Sequence, residues 1–437
     1  AAISDIPMGH HAIVIGASMG GLTAAAVLAQ HFEHVTVLDR DRLPGDATPR
    51  NGVPQGGHVH NLLSRGDATL GRLFPTLFEQ LQRNDAQRVD WSRDVRWHHH
   101  GVWKKRIASG VESWFMTRPM LEQCVRQDLI NRPNVHVRDG VTVSAYQFNP
   151  DNSTVTGVQI EGEAPLGADL VVDCAGRRSG LSDCLAAHGY TKPKTQRIKV
   201  DVVYSTCMMR PRAPQDFKAI AQIAPPPGKR SGVTFAVENG NWMVTLFGYH
   251  GDHPPRDPQG WRGFARSLNQ PDIAALIDAS EPVTDIRKYH FTESLWRRFD
   301  KLARLPERLV HLGDSVCSFN PIYGQGMTSA TLQAEALGRL LGTGALETLH
   351  TRAPRPIANV INECWQAVAS EDFRHPETTG DAMPGANIIN WYTRRVHRLA
   401  SRHDHIETEF LRVMHMEAGF ASLFHPSILA PALFRPV

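Results

Sequence analysis

Along the first forty or so residues, apolar and polar positions fall into three blocks. His11-Ala-Ile-Val-Ile15 is a continuous apolar run ending at a glycine, as expected of a parallel strand buried on both faces. Gly16-Ala-Ser-Met-Gly-Gly21 follows, and then Leu22–Gln30, whose alanines and leucines make a good helix. Val35–Asp39 reads as a second strand, closing a strand–helix–strand unit of the size a right-handed crossover needs.

Pro44 to Gly57 is polar and glycine-rich. Trp114–Met116 reads as a further strand, and Pro119 suits the first turn of the helix after it. Leu170–Asp173 is a third buried strand, broken by Gly176 and Gly180. Between about 186 and 290 the segments shorten and read as antiparallel strands: Val200–Tyr204, Val233–Val237 and Trp242–Phe247. Glu238-Asn-Gly-Asn241 joins the last two, and Asn-Gly tolerates the positive φ of a type I′ hairpin turn. Leu309–Gly313 returns to the buried-strand pattern, a helix is expected over Thr328–Leu341, and the chain from about 355 reads as helical.

The glycine-rich turn lies directly between a strand and a helix, the context a dinucleotide site requires. Gly16 permits the tight turn, Gly21 allows close helix–strand packing, and the helix N-terminus offers free N–H groups to a pyrophosphate. Ser18 stands where the middle glycine usually lies and is the next smallest choice. Asp39 ends the second strand at the position of a ribose acceptor, with Arg40 beside it.

Composition narrows the classes. Of 437 residues, 41% are hydrophobic and 21% charged, which argues against disorder and for more than one packed unit. A net charge of +3 without long basic runs gives no support to a nucleic-acid partner. The six cysteines form no CxxC pair, so neither a disulfide framework nor a zinc ribbon is expected. With no signal-like N-terminal stretch and no long apolar segment, a cytoplasmic location without a transmembrane span is expected. His58 and His60 are spaced as strand ligands, and His98–His100 forms a second cluster, but neither has companion ligands. No metal is assigned, and the triplet is expected to be exposed.

Taken together, these segments resemble the FAD-dependent monooxygenases of the p-hydroxybenzoate hydroxylase fold. Arg50-Asn-Gly-Val-Pro-Gln-Gly-Gly-His-Val-His60 resembles a stretch of bacterial polyether (lasalocid-type) epoxidases, with squalene epoxidase a more distant likeness. Thr117-Arg118-Pro-Met-Leu121 is similar to the helix start that contacts the FAD ribityl chain, and Ala168–Arg177 falls where the family keeps a second dinucleotide motif. Gly313-Asp314 with Asn320-Pro-Ile-Tyr-Gly-Gln-Gly-Met327 resembles the GD motif and the flavin-facing loop.

The fold so implied is α/β. A Rossmann-like FAD domain with a parallel sheet would comprise residues 10–75, 112–185 and 290–345. An inserted antiparallel-sheet substrate domain would take 76–111 and 186–289, and a helical C-terminal region 346–437. FAD contacts are expected from Gly16, Ser18, Gly20, Gly21, Asp39, Arg40, Arg50, His58, Arg118, Asp314, Gly326 and Met327. Pro321, Gly324, Gln325 and Gly326 would face the flavin, with no acid or base assigned.

The implied reaction inserts one oxygen atom from O2, through a flavin C4a-hydroperoxide, into an apolar olefinic natural product. Aromatic-ring hydroxylation and alkene reduction are the alternatives. Ala175 replaces the acid of the usual second motif, which favours a partner flavin reductase over direct NAD(P)H reduction. The WxWxIP run of flavin halogenases is absent, and a non-catalytic nucleotide sensor would purify colourless. On the strand Trp242–Tyr249, alternation puts Met243, Thr245, Phe247 and Tyr249 on one face. Substrate contacts are expected there from Thr245, Phe247 and Tyr249, with Tyr204.

Overall fold

The computed structural model describes residues 7–49, 54–177, 179–382 and 385–436. A five-stranded parallel sheet orders its strands as Leu309–His311, Leu170–Asp173, Gly9–Ile15, Phe32–Leu38 and Val135–Arg138. Ala12, Ile13, Val14, Val171 and Val172 are fully buried, as a strand covered on both faces demands. The helix Met19–Leu28 is buried along its whole length, packed between the sheet and the helices Arg118–Ile130 and Gln325–Leu341. Thr117 caps Arg118–Ile130, accepting from Met120 N, and Pro119 sits in its first turn.

The second large sheet has ten strands. Along its main path run Cys317–Ser318, Arg287–Arg297, Thr195–Pro211, Trp242–Tyr249, Arg230–Ala236, Ala219–Gln222, Val95–His99 and Val102–Trp103. Neighbours are antiparallel except Ala219–Gln222 with Val95–His99. Asn239 and Gly240 both take positive φ in the hairpin turn, as the Asn-Gly pair predicts. One face carries Trp242, Val244 and Leu246 against Trp261, Phe264 and Ile273 of two covering helices. The opposite face carries Tyr204, Phe247 and Tyr249 with Phe291 and Ile322.

The fold is thus α/β, with a Rossmann-like parallel sheet, an antiparallel sheet and a helical C-terminal region. Four helices, Pro354–Asp372, Ala386–Ala400, Asp404–Met414 and Pro426–Phe434, dominate the last part. They correct one expectation. His98, His99 and His100 are buried rather than exposed, because the helix carrying His397 covers that edge of the sheet. His99 and His100 stack at 3.7 Å and meet the His397 ring edge-on. Two smaller differences concern element limits. Glu112–Phe115 pairs with Gln87–Asp90 in a separate two-stranded sheet, and the helix expected from Thr328 begins at Gln325. All six cysteines are free thiols, and among the described residues no helix is long and apolar enough to cross a membrane.

Candidate active site

A cavity of about 680 Å³ runs from the Gly16 turn to the loop at Pro321. That volume lies within the range of small-molecule and cofactor sites. Gly16, Ser18, Gly20, Asp39, Arg40, Arg118, Asp314, Pro321, Gly324, Gly326 and Met327 all line it, as does His60.

At one end the backbone does the shaping. Gly16 has φ +96°, and a Cβ there would lie 2.4 Å from the Cys174 carbonyl oxygen. Gly21 does not reach the cavity; a Cβ on it would lie 1.7 Å from the Gly16 carbonyl oxygen, so it closes the turn itself. Ser18 takes the N-cap position without a side-chain cap bond. Asp39 is buried and accepts from Ala17 N at 2.6 Å and Asp41 N at 2.8 Å, which ties the second strand's end to the turn.

In the middle, Arg118 pairs with Glu122 at 2.9 Å within its own helix. Asp314 accepts no hydrogen bond from the described residues. Burial pushes its carboxyl above the ordinary range, and Arg118 and Arg177 pull it back. A half-buried acid facing a cavity without a donor among the described residues fits a ligand hydroxyl.

At the other end, Asn320 through Tyr323 form a tight turn and Gly324 follows at φ +65°. A Cβ on Gly324 would lie 2.8 Å from Asn61 Oδ1, whereas one on Gly326 would meet nothing within 4 Å. The 17-residue helix Gln325–Leu341 therefore begins at the cavity wall, where its N-terminus favours negative charge. Gln325 itself is buried and outside the lining.

Behind this loop lies a polar network. Asn320, fully buried, accepts from the Tyr204 hydroxyl and donates from Nδ2 to Asp372 Oδ1 at 3.0 Å. The Tyr323 hydroxyl donates to the same oxygen at 2.9 Å. The Tyr249 hydroxyl bonds with the Asn320 and Tyr323 side chains, and its ring stacks on His375 at 4.2 Å.

Several expected contacts lie one layer back from the cavity. His58 Nδ1 bonds Thr206 Oγ1 at 2.6 Å, and burial lowers its pKa to about 4. It sits behind His60, whose pKa falls to about 3 through burial and then the Arg118 charge. Thr245 bonds Thr206 at 2.7 Å, and Phe247 packs with Tyr204 and Tyr249. None of these four candidate substrate residues (Tyr204, Thr245, Phe247 and Tyr249) lines the cavity. Tyr289 and Phe291 lie between them and it. Arg50 lies outside the described residues.

Other residues were not anticipated. Arg177 lines the cavity and donates to the Glu293 carbonyl at 2.6 Å and to Ser318 Oγ at 3.2 Å. Asp173, the acid two residues before Ala175, is engaged by the Tyr146 hydroxyl and Ala175 N. His290, which lines the cavity, contacts Asp201 at 2.6 Å, and Asp201 also meets His253 at 3.1 Å.

This fold is found in flavin-dependent monooxygenases and halogenases. The flavin-dependent brominase Bmp2 superposes with a TM-score of 0.65 at 11% identity, covering 97% of this chain and 98% of that one. PqsL, a probable FAD-dependent monooxygenase from Pseudomonas aeruginosa, gives 0.61 at 15% identity over 84% and 97%. A model of the NAD(P)-binding Rossmann-like domain matches residues 14–79. Protein Rv3254 of Mycobacterium tuberculosis is 31% identical over 396 residues, 86% of this chain and 82% of its own length. The chain belongs to the same family as that protein.

Proposed function

We propose that the protein is an FAD-dependent monooxygenase that inserts one oxygen atom into an apolar, olefin-bearing small molecule. One observation carries the reading: a single cavity joins the Gly16 turn, the unpartnered Asp314 carboxyl and the start of the helix Gln325–Leu341. The turn and the N-terminus of the helix Met19–Leu28 would take the pyrophosphate, Asp39 the adenosine ribose and Asp314 a ribityl hydroxyl. Pro321, Gly324 and Gly326 would let the backbone lie against the flavin ring. When bound, the flavin supplies the reaction with dioxygen.

The chain's own part is to bind, orient and exclude water. Arg118 and Arg177 bring positive charge toward the Asp314 carboxyl. The N-terminus of Gln325–Leu341 favours negative charge on the ring edge beside it. Tyr204 and Tyr249 spend their hydroxyls on Asn320 and its network, so their rings rather than their polar groups border the loop. The loop is thereby braced from behind, and the preference for an apolar olefin over a phenol rests on the resemblance to the epoxidases. Water kept from such a site protects a reactive oxidant. The resemblance of Arg50–His60 to polyether epoxidases supports a substrate from secondary metabolism, and Ala175 supports reduction by a partner flavin reductase.

The test has two parts. FAD should bind more tightly than FMN, since Asp39 and the glycine turn address an adenosine diphosphate that FMN lacks. Equal affinities in a fluorescence titration would remove the basis for the assignment. The reduced holoprotein, given olefins and phenols under oxygen, should then yield epoxides by mass spectrometry. Hydroxylated phenols with no epoxide would establish the alternative.

A further inference from the structure

Asp372 is the last residue of the helix Pro354–Asp372 and is fully buried. Its Oδ1 receives both Asn320 Nδ2 and the Tyr323 hydroxyl, the two ends of the turn beside the cavity, while its Oδ2 has no partner. A buried carboxyl that accepts two donors on one oxygen and none on the other suits a neutral acid better than a carboxylate, whose second oxygen would be desolvated without compensation. Among the described residues no cation pairs with it. The groups facing it are Tyr323 and Asn320 from the loop and Tyr204 and Tyr249 from two strands of the large sheet. Glu371 is its chain neighbour, and His375, stacked on Tyr249, lies just beyond the helix.

We propose that Asp372 is a positioning residue which, in its neutral form, clamps the Asn320–Tyr323 turn from behind and so makes the shape of the loop end dependent on pH. The clamp joins the C-terminal helices to the cavity wall. Burial raises the carboxyl to about 7, the Tyr323 and Asn320 donors offsetting only part of that rise. When the turn opens, the acid meets water and returns toward its ordinary value near 4. The clamp's contribution is thus complete below about pH 4, declines as pH rises to about 7, and stays lost above it. The consequence for a bound flavin rests on the function proposed above; the clamp does not.

Hydrogen exchange of the peptide spanning residues 319–327 tests this on the protein without added ligand. The variant D372N keeps an oxygen that accepts both donors but cannot ionise. The ratio of wild-type to D372N protection should fall roughly tenfold between pH 6 and 8, while effects of nearby histidines cancel. D372A should expose the peptide at every pH. A ratio that does not change with pH, or wild-type protection retained in D372A, overturns the proposal. FAD titrations on the same samples separate the two ideas: if the exchange behaves as stated and FAD does not bind, the clamp stands and the monooxygenase reading falls.

Discussion

The two ends of the cavity are built by different means. At the Gly16 end the surface is largely backbone, and its buried carboxylate, Asp39, is held by amide donors from Ala17 and Asp41 within about 25 residues of chain. At the Pro321 end the surface depends on side chains drawn from four segments: Tyr204, Tyr249, the Asn320–Tyr323 turn and Asp372. The first end needs only local chain geometry. The second needs the whole tertiary structure in place, and it contains groups that titrate.

Substitutions can break this contrast. The largest loss is expected from Gly21→Ala, since a methyl 1.7 Å from the Gly16 oxygen forces backbone apart. It should cost about 4 kcal/mol or more in chemical denaturation, in the exceptional range for single changes. An unchanged midpoint would mean that the turn is not sterically closed. Asn320→Ala comes next at about 3 kcal/mol, because it removes the buried acceptor of the Tyr204 hydroxyl and one of the two donors to Asp372. A loss well under 1 kcal/mol would show that the network does not hold the loop.

Asp39→Ala should cost about 1–3 kcal/mol by stranding the Ala17 and Asp41 amides, with a parallel loss of FAD affinity. Acidification should also distinguish the ends. His58, His60 and His375 are held neutral by burial, at about 4, 3 and 4. Unfolded, they would protonate near 6.5. Their contribution is therefore present above that pH and is lost below it, by about 1 kcal/mol each between pH 6 and 5. In D372N, which removes the opposing titration of Asp372, the protection of residues 319–327 should fall over that interval, and the protection of residues 12–22 should not. Equal loss of protection at both ends would erase the distinction.

Asp314→Asn should have the smallest effect on stability, within about 0.5 kcal/mol, because burial already disfavours the ionised form. Its effect should appear in FAD affinity alone. A variant as destabilised as Asp39→Ala would give Asp314 a structural role instead.

How much of this could be read from sequence follows the same division. The glycine turn, Asp39, Asp314 and the Asn320–Met327 loop are short patterns whose chemistry is carried by neighbours in the chain. The alternation along Trp242–Tyr249 likewise sorted Trp242, Val244 and Leu246 from Phe247 and Tyr249. Asp372 left no such trace, since its partners lie 49 and 52 residues away and it ends an otherwise ordinary helix. The histidine triplet looked like surface because nothing nearby signals that His397 will cover it. The strand Val135–Arg138 was missed because Val-His-Val-Arg, at the sheet's edge, lacks the continuous apolar run of its central neighbours.

The order of strands in the parallel sheet also bears on how the protein is made. Val171 pairs with Leu309, about 140 residues later in the chain. A ribosome adding 5–20 residues per second takes roughly 7–30 s to cover that interval. Meanwhile the strand Leu170–Asp173 presents one unpaired backbone edge, and the wall that carries Asp314 does not yet exist. The nascent chain can form the Gly16 turn early but cannot enclose a dinucleotide until the antiparallel strands have been synthesised. Cofactor capture is consequently a late event, and a chain stalled before Leu309 would expose a sticky sheet edge to chaperones and to other copies of itself.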